Sequence, residues 1–152
     1  MIIAKFEEIE AWQLARELTR QVYEVTRRGS FARDYGLRDQ IRDAAGSAMH
    51  NIAEGFDGGS DAEFIRFLGY AQRSCTEVQS ELYVALDQEY LSADEFDALY
   101  ALAAKTRSKT GAFIRYLRQV ESRRGERNSS RLPAGRQPCS RHREPKTNNV
   151  ES

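Results

Sequence analysis

Between residues 61 and 89 the apolar positions fall at Phe64, Leu68, Ala71, Cys75, Val78, Leu82 and Ala85, in alternating steps of four and three. Steps of that kind put all seven side chains on one face of a helix, because their mean spacing is close to the helical turn. A second run repeats the pattern at Phe96, Leu99, Ala103, Thr106, Thr110, Phe113, Leu117 and Val120. A third is carried by Leu37, Ile41, Ala44, Ala48 and Ile52, and a looser fourth by Ile9, Trp12, Ala15, Leu18, Val22 and Val25. Four amphipathic helices are therefore expected, over about 7–28, 34–54, 61–89 and 93–121.

The punctuation between the runs agrees. Ser60 with Glu63, and Ser92 with Glu95, have the spacing of a capping box, in which hydroxyl and carboxylate satisfy each other's free amides. Gly29 after Arg27 and Arg28, and Gly55 after the third run, read as residues that end a helix in the left-handed conformation. The loops left over are short, which makes successive helices antiparallel neighbours. The expected fold is all-α, an antiparallel up-and-down four-helix bundle, with the helix over 61–89 roughly 43 Å long.

Composition then divides the 152 residues in two. All fifteen aromatic residues lie between Phe6 and Tyr116, and all three prolines (Pro133, Pro138, Pro145) lie beyond residue 132. From about Ser122 the chain is Arg, Ser, Asn, Gly and Pro, too polar to offset the entropy of ordering. The expected organisation is a bundle over 1–121 and a disordered basic tail over 122–152. Two cysteines, Cys75 and Cys139, form no disulfide framework, and no apolar run reaches membrane-spanning length. The apolar stretch before Lys5 is too short for the core of a secretory leader and a run of acids follows it, so a cytoplasmic protein is expected.

The formal net charge of zero conceals an asymmetry. Residues 1–104 hold 10 Lys and Arg against 19 Asp and Glu, whereas residues 105–152 hold 13 against 4. A basic end on an acidic body reads either as a site for a polyanion or as a solvated tail. The candidate nucleic-acid contacts are Lys105, Arg107, Lys109, Arg115, Arg118, Arg123, Arg124 and Arg127. Nothing in this pattern reads bases, so binding is expected to be sequence-tolerant.

Catalytic constellations are missing. A di-metal bundle needs two Glu-x-x-His pairs, but His50 and His142 are the chain's two histidines and Ser47 stands three before the first. One histidine in the bundle leaves no triad to build, and Arg136 with His142 straddles Pro138. Gly55, Gly58 and Gly59 follow no strand and precede no Lys-Ser or Lys-Thr, so they are not a phosphate loop. Cys75 sits on the apolar seam as a small hydrophobe. Glu77 and Glu81, one turn apart, read as a solvated face or as acids matched by an arginine on the next helix. No enzyme, metal or cofactor is expected.

One set of residues resembles a known family. It comprises Trp12-Gln13-x-Ala15, then Tyr35-Gly36-Leu37-x-x-Gln40-Ile41-Arg42-x-Ala44, then Ser47 followed by Asn51-Ile52-Ala53-Glu54-Gly55, and Glu63-Phe64-x-x-Phe67-Leu68. Over about residues 6 to 118 this is similar to the four-helix bundle proteins of ribosomal RNA intervening sequences. Their relatives include the accessory variability determinant of diversity-generating retroelements. The resemblance implies a homo-pentamer and no catalytic residue. For the retroelement relatives it also implies binding of RNA or DNA and of a reverse transcriptase. The turn Phe56-Asp57-Gly58-Gly59 departs from the family's basic, serine-containing turn, and residues 1–121 hold 15 basic against 20 acidic side chains.

Within the matched motif, Asn51, Glu54 and Gly55 are candidate structural or interface residues. Asn51 and Glu54 either fix the turn by hydrogen bonding or meet a ligand or subunit. Ile65, Gly69, Gln72, Thr76 and Tyr83 form a second stripe that either widens the core or marks an interface. Two functions follow as expectations. One is a homo-oligomeric scaffold binding nucleic acid through its basic C-terminal region. The other is a self-assembling protein-interaction module with no nucleic-acid partner.

Overall fold

The computed structural model describes residues 2–131. A 3-10 turn at Phe6–Glu8 leads into α1 (Glu10–Thr26), a short α2 (Gly29–Arg33), then α3 (Tyr35–Asp57), α4 (Asp61–Asp87) and α5 (Ala93–Ser130). Helices α1, α3, α4 and α5 form the four-helix bundle, and each packs against its two neighbours around the ring α1–α3–α4–α5.

The apolar seams face inward. Every residue of the expected α4 seam is buried, as are all those expected on α1 and α3. Removing an aliphatic side chain of this size from water contributes about 1.5–3 kcal/mol. On α5 the seam holds from Phe96 to Thr110 and then slips: Ile114 is buried, while Phe113 and Val120 are only half-buried. The reason is geometric. A repeat of seven drifts by about 20° per heptad on a straight helix, so after two or three heptads the next position takes over. Thr106 and Thr110, fully buried, satisfy their hydroxyls by donating to Leu102 O and Thr106 O at 2.8 and 2.7 Å.

Three boundaries differ from expectation. The link between α1 and α3 contains α2, held by Phe31, which is 1% exposed and stacks on Tyr90 at 5.1 Å. The Tyr90 hydroxyl donates to Asp34 Oδ2 (2.9 Å), while Asp34 Oδ1 caps α3 by accepting from Leu37 N. Second, α3 runs through Gly55 to Asp57. Gly55 is therefore not a helix terminator; the left-handed residue of this corner is Gly59, at φ +84°. Gly29 does take the left-handed conformation, at φ +51°.

Third, α5 continues nine residues past 121, to Ser130. With no proline before Pro133, nothing interrupts its backbone hydrogen bonds. Residues 122–130 are all exposed, so the extension is a helix without a core. The expectation of disorder over 132–152 lies outside the described residues.

Candidate nucleic-acid interface and the α3–α4 corner

Helix α5 supplies the basic side chains, and its twist sorts them. At about 100° per residue, Lys105, Lys109, Arg123 and Arg127 share one flank, whereas Arg107, Arg115 and Arg118 lie on the opposite side. Contacts fix which flank is which. Lys109 Nζ lies 3.6 Å from Glu10 of α1, and Gln72 of α4 donates to Arg107 O at 3.3 Å. The first stripe thus borders α1 and the second borders α4. The eight predicted basic residues are not one patch.

Arg124 stands apart from both. It points along the core azimuth, two turns beyond Leu117, the last buried residue of α5, and one turn beyond half-buried Val120, and its Nη1 donates to Asp61 Oδ2 at 2.8 Å. That pair ties α5 to the first turn of α4. Arg123 beside it and Arg127 one turn beyond it project outward, and neither forms an ion pair among the described residues. From Lys105 to Arg131 the chain has nine basic residues against Glu121 and Glu126.

An aromatic residue completes the α1-side stripe. Tyr116 is 52% exposed and falls in line between Lys109 and Arg123, seven residues from each. Its ring stacks on Phe113 at 6.0 Å, and the two border an apolar hollow of about 510 Å³ shared with Ile2, Ile3 and Ile9. Cation, aromatic, cation, cation along one helix face is an arrangement that holds phosphates and stacks bases. The charges were legible in the sequence. Tyr116 was not, because only the helix register relates it to Lys109 and Arg123.

At the other candidate, the α3–α4 corner, the motif residues separate by role. Asn51 Nδ2 donates to Ser47 O (2.8 Å) and Ser47 Oγ (3.0 Å), and Ser74 Oγ of α4 lies 3.1 Å from Ser47 Oγ. Asn51 is therefore one member of a polar cross-link between the two helices. Gly55 is buried where a β-carbon would stand 2.6 Å from Phe67 Cβ and 2.9 Å from Phe64 Cδ2. Its function is close helix approach, with no clash-free room for any other residue. Glu54 is exposed, and its side chain makes no hydrogen bond or ion pair among the described residues. His50 is exposed on the same side of α3.

The second stripe on α4 mostly widens the core. Ile65, Gly69 and Gln72 are half-buried toward α5, and Tyr83 packs on Phe96 and Tyr100 at 4.9 and 5.8 Å. Thr76 is exposed, with its hydroxyl donating to Gln72 O.

Exposed Glu77 fits the solvated face, and Glu81 corrects the sequence reading. Glu81 is only 8% exposed, and among the described residues its Oε2 has no hydrogen-bond partner and no arginine meets it. Burial, followed by the charge and carboxyl contact of Glu77 and the charge of Asp43 on α3, pushes its carboxyl up to about 7. The i, i+4 spacing could not reveal this, because burial between α3 and α4 depends on the width of that groove. Cys75 behaves as the seam implies: it is fully buried, and burial pushes its thiol up to about 12. Among the described residues no group of three or more His, Cys, Asp or Glu side chains is placed to hold a metal ion. Among them, too, no helix is long and apolar enough to cross a membrane.

Fold and motif together define an up-and-down four-helix bundle with a polar-linked α3–α4 corner. The chain belongs to the family of 23S rRNA-intervening sequence proteins, whose family model it matches over residues 7–112. A crystal structure of a protein of unknown function from the S23 ribosomal protein family of Bacteroides thetaiotaomicron VPI-5482 is similar in fold. Its TM-score is 0.63 at 18% identity, covering 68% of this chain and 97% of that one. No curated protein matches the chain.

Proposed function

We propose that the protein is a non-enzymatic, homo-oligomeric scaffold that binds RNA or DNA without sequence preference through the end of α5. The observation that carries this reading is the uncovered stripe Lys109, Tyr116, Arg123 and Arg127, which runs off the bundle onto a helix extension with no core to pack. Lys105 lies on the same flank, and Arg131 and the basic residues after it add to the local positive charge. Family membership supports the reading through the ribosomal RNA context of the family's description. Pentameric assembly and a reverse-transcriptase partner belong to the same proposal by the resemblance noted above, and a cytoplasmic location by the two cysteines that form no disulfide framework.

The acidic body sets the geometry of approach. A nucleic acid is repelled by the α3–α4 face, where Asp43, Glu54 and Glu77 are exposed, and attracted to α5. Each subunit of a ring adds one α5 stripe, so a single strand spanning two stripes gains avidity without any new contact.

A mobility-shift titration with a single-stranded RNA of mixed sequence tests the proposal. Binding is expected at about 50 mM salt and should weaken by orders of magnitude at about 200 mM. No shift at the lower salt ends the nucleic-acid reading. A second reading, self-assembly with no nucleic-acid partner, is favoured by the buried unpaired Glu81. Pull-down from lysate with and without nuclease separates the two, since only the first loses its partners on digestion.

A further inference from the structure

Two sets of unpaired charges lie on adjacent grooves of the bundle. On the α3–α4 groove stand Asp43, Glu77 and Glu81, none of them in an ion pair among the described residues. Arg42, next in sequence to Asp43, is turned away toward α1. There its Nε donates to Thr26 Oγ1 at 2.8 Å and its guanidinium lies 4.5 Å over the ring of Tyr23. On the α4–α5 side stand Arg107, Arg115 and Arg118, exposed and likewise in no ion pair among the described residues.

We propose that the α3–α4 groove seats the arginine face of α5 from a second copy of this chain, with the carboxylates of Asp43, Glu77 and Glu81 receiving Arg107, Arg115 and Arg118. This rests on the self-assembly part of the proposed function and supplies its interface.

Three observations argue for it. A buried carboxylate oxygen without a partner is costly, and a desolvated cation from outside the chain is the group that compensates it best. Glu81 Oε2 is that oxygen. The charges also complement each other: Arg107 and Arg118 lie eleven residues apart, three turns and about 16 Å along one face of α5, and Asp43 and Glu77 are exposed on the α3–α4 groove. Finally, Ala104 and Ser108 lie among the arginines and present no bulk, so the α5 face can approach a groove closely.

Because the donor face and the acceptor groove are different surfaces, the contact is heterologous: each copy gives one and takes one. Such contacts close into rings or run on as filaments. The contact also has a proton linkage. In the free chain Glu81 faces Glu77 from its own helix and Asp43 from α3, with His50 two turns further along α3, and its carboxyl titrates at about 7. An arriving guanidinium favours the ionised form, so association releases a proton. Assembly should tighten as pH rises toward about 7 and level off above it.

The test is the mass in solution of the full chain and of two charge-reversed variants, Asp43→Lys/Glu77→Lys and Arg115→Glu/Arg118→Glu. Each variant alone should associate at least about tenfold more weakly than the unaltered chain. Mixed together, they should associate again, because the arginines of the first fit the acidic groove of the second and the reversed glutamates of the second fit the reversed lysines of the first. Helical circular dichroism confirms folding, and the milder Glu81→Gln and Arg118→Gln give the same reading if a reversal does not fold. If the unaltered chain assembles and both variants assemble equally well, the interface is wrong and the self-assembly reading stands. If the unaltered chain is monomeric at every concentration, both fall.

Discussion

Gly55 of α3 and Phe67 of α4 meet so closely that a β-carbon on the glycine would lie 2.6 Å from Phe67 Cβ. The contact fixes how tightly the two helices close at the corner that holds the matched motif. Gly55→Ala gains about 1 kcal/mol of helix propensity. It loses more to a clash with an atom that cannot swing away. A net destabilisation of about 1–3 kcal/mol is expected, read from urea unfolding.

Gly111 provides the contrast. A β-carbon there would meet Gln72 Nε2 at 2.7 Å, the far end of a flexible side chain. Gln72 can move at the cost of its bond to Arg107 O. Gly111→Ala should be neutral or stabilising by up to about 1 kcal/mol, in the same unfolding assay.

The two helix starts on serine differ in a measurable way. Ser92 accepts from Glu95 N and Glu95 Oε1 accepts from Ser92 N, both at 3.1 Å, a complete capping box. Glu95 also accepts from Arg28 at the end of α1. At Ser60 only the first half is present, with Glu63 N donating to Ser60 Oγ at 3.2 Å. Ser92→Ala should cost about 1 kcal/mol or more and Ser60→Ala distinctly less. Equal losses in thermal unfolding would contradict the assignment.

Glu81 gives the chain an unusual pH response. Its carboxyl is raised from the ordinary 4.5 to about 7 on folding, so between those values the folded state holds a proton that the unfolded state has lost. Stability therefore falls as pH rises through that window and is flat above it. The contribution is on the order of 2–3 kcal/mol at most. Glu81→Gln should relieve it: at pH 8, on chain diluted to the monomer, the variant unfolds at higher denaturant than the parent, while at pH 4.5 the two coincide.

Most of the bundle was legible because seam and cap are local properties. Phe64 through Ala85 can be placed from spacing alone, and Ser92 with Glu95 from a four-residue pattern. What could not be read depended on distances between helices. Gly55 has the composition of a terminator, and only the approach of Phe67 makes it an interior residue. Phe31 looks like a loop aromatic until Tyr90 is brought beneath it. The extension of α5 past residue 121 escaped a reading based on burial, since a solvated helix needs no apolar face. In the candidate interface the charges were visible but their division into two stripes was not, because it depends on which neighbour borders each flank of α5.

The proposed function stands on the α1-side stripe of α5 holding phosphates. The direct measurement is fluorescence anisotropy of a labelled single-stranded RNA against protein, repeated over a range of salt, for the parent and for Arg123→Gln/Arg127→Gln. Each phosphate contact on a single strand contributes about 0.7 to the slope of log affinity against log salt. The account predicts a steep slope for the parent and one shallower by about 1.4 for the double variant, with helicity unchanged. An unchanged slope and affinity in the variant would contradict it.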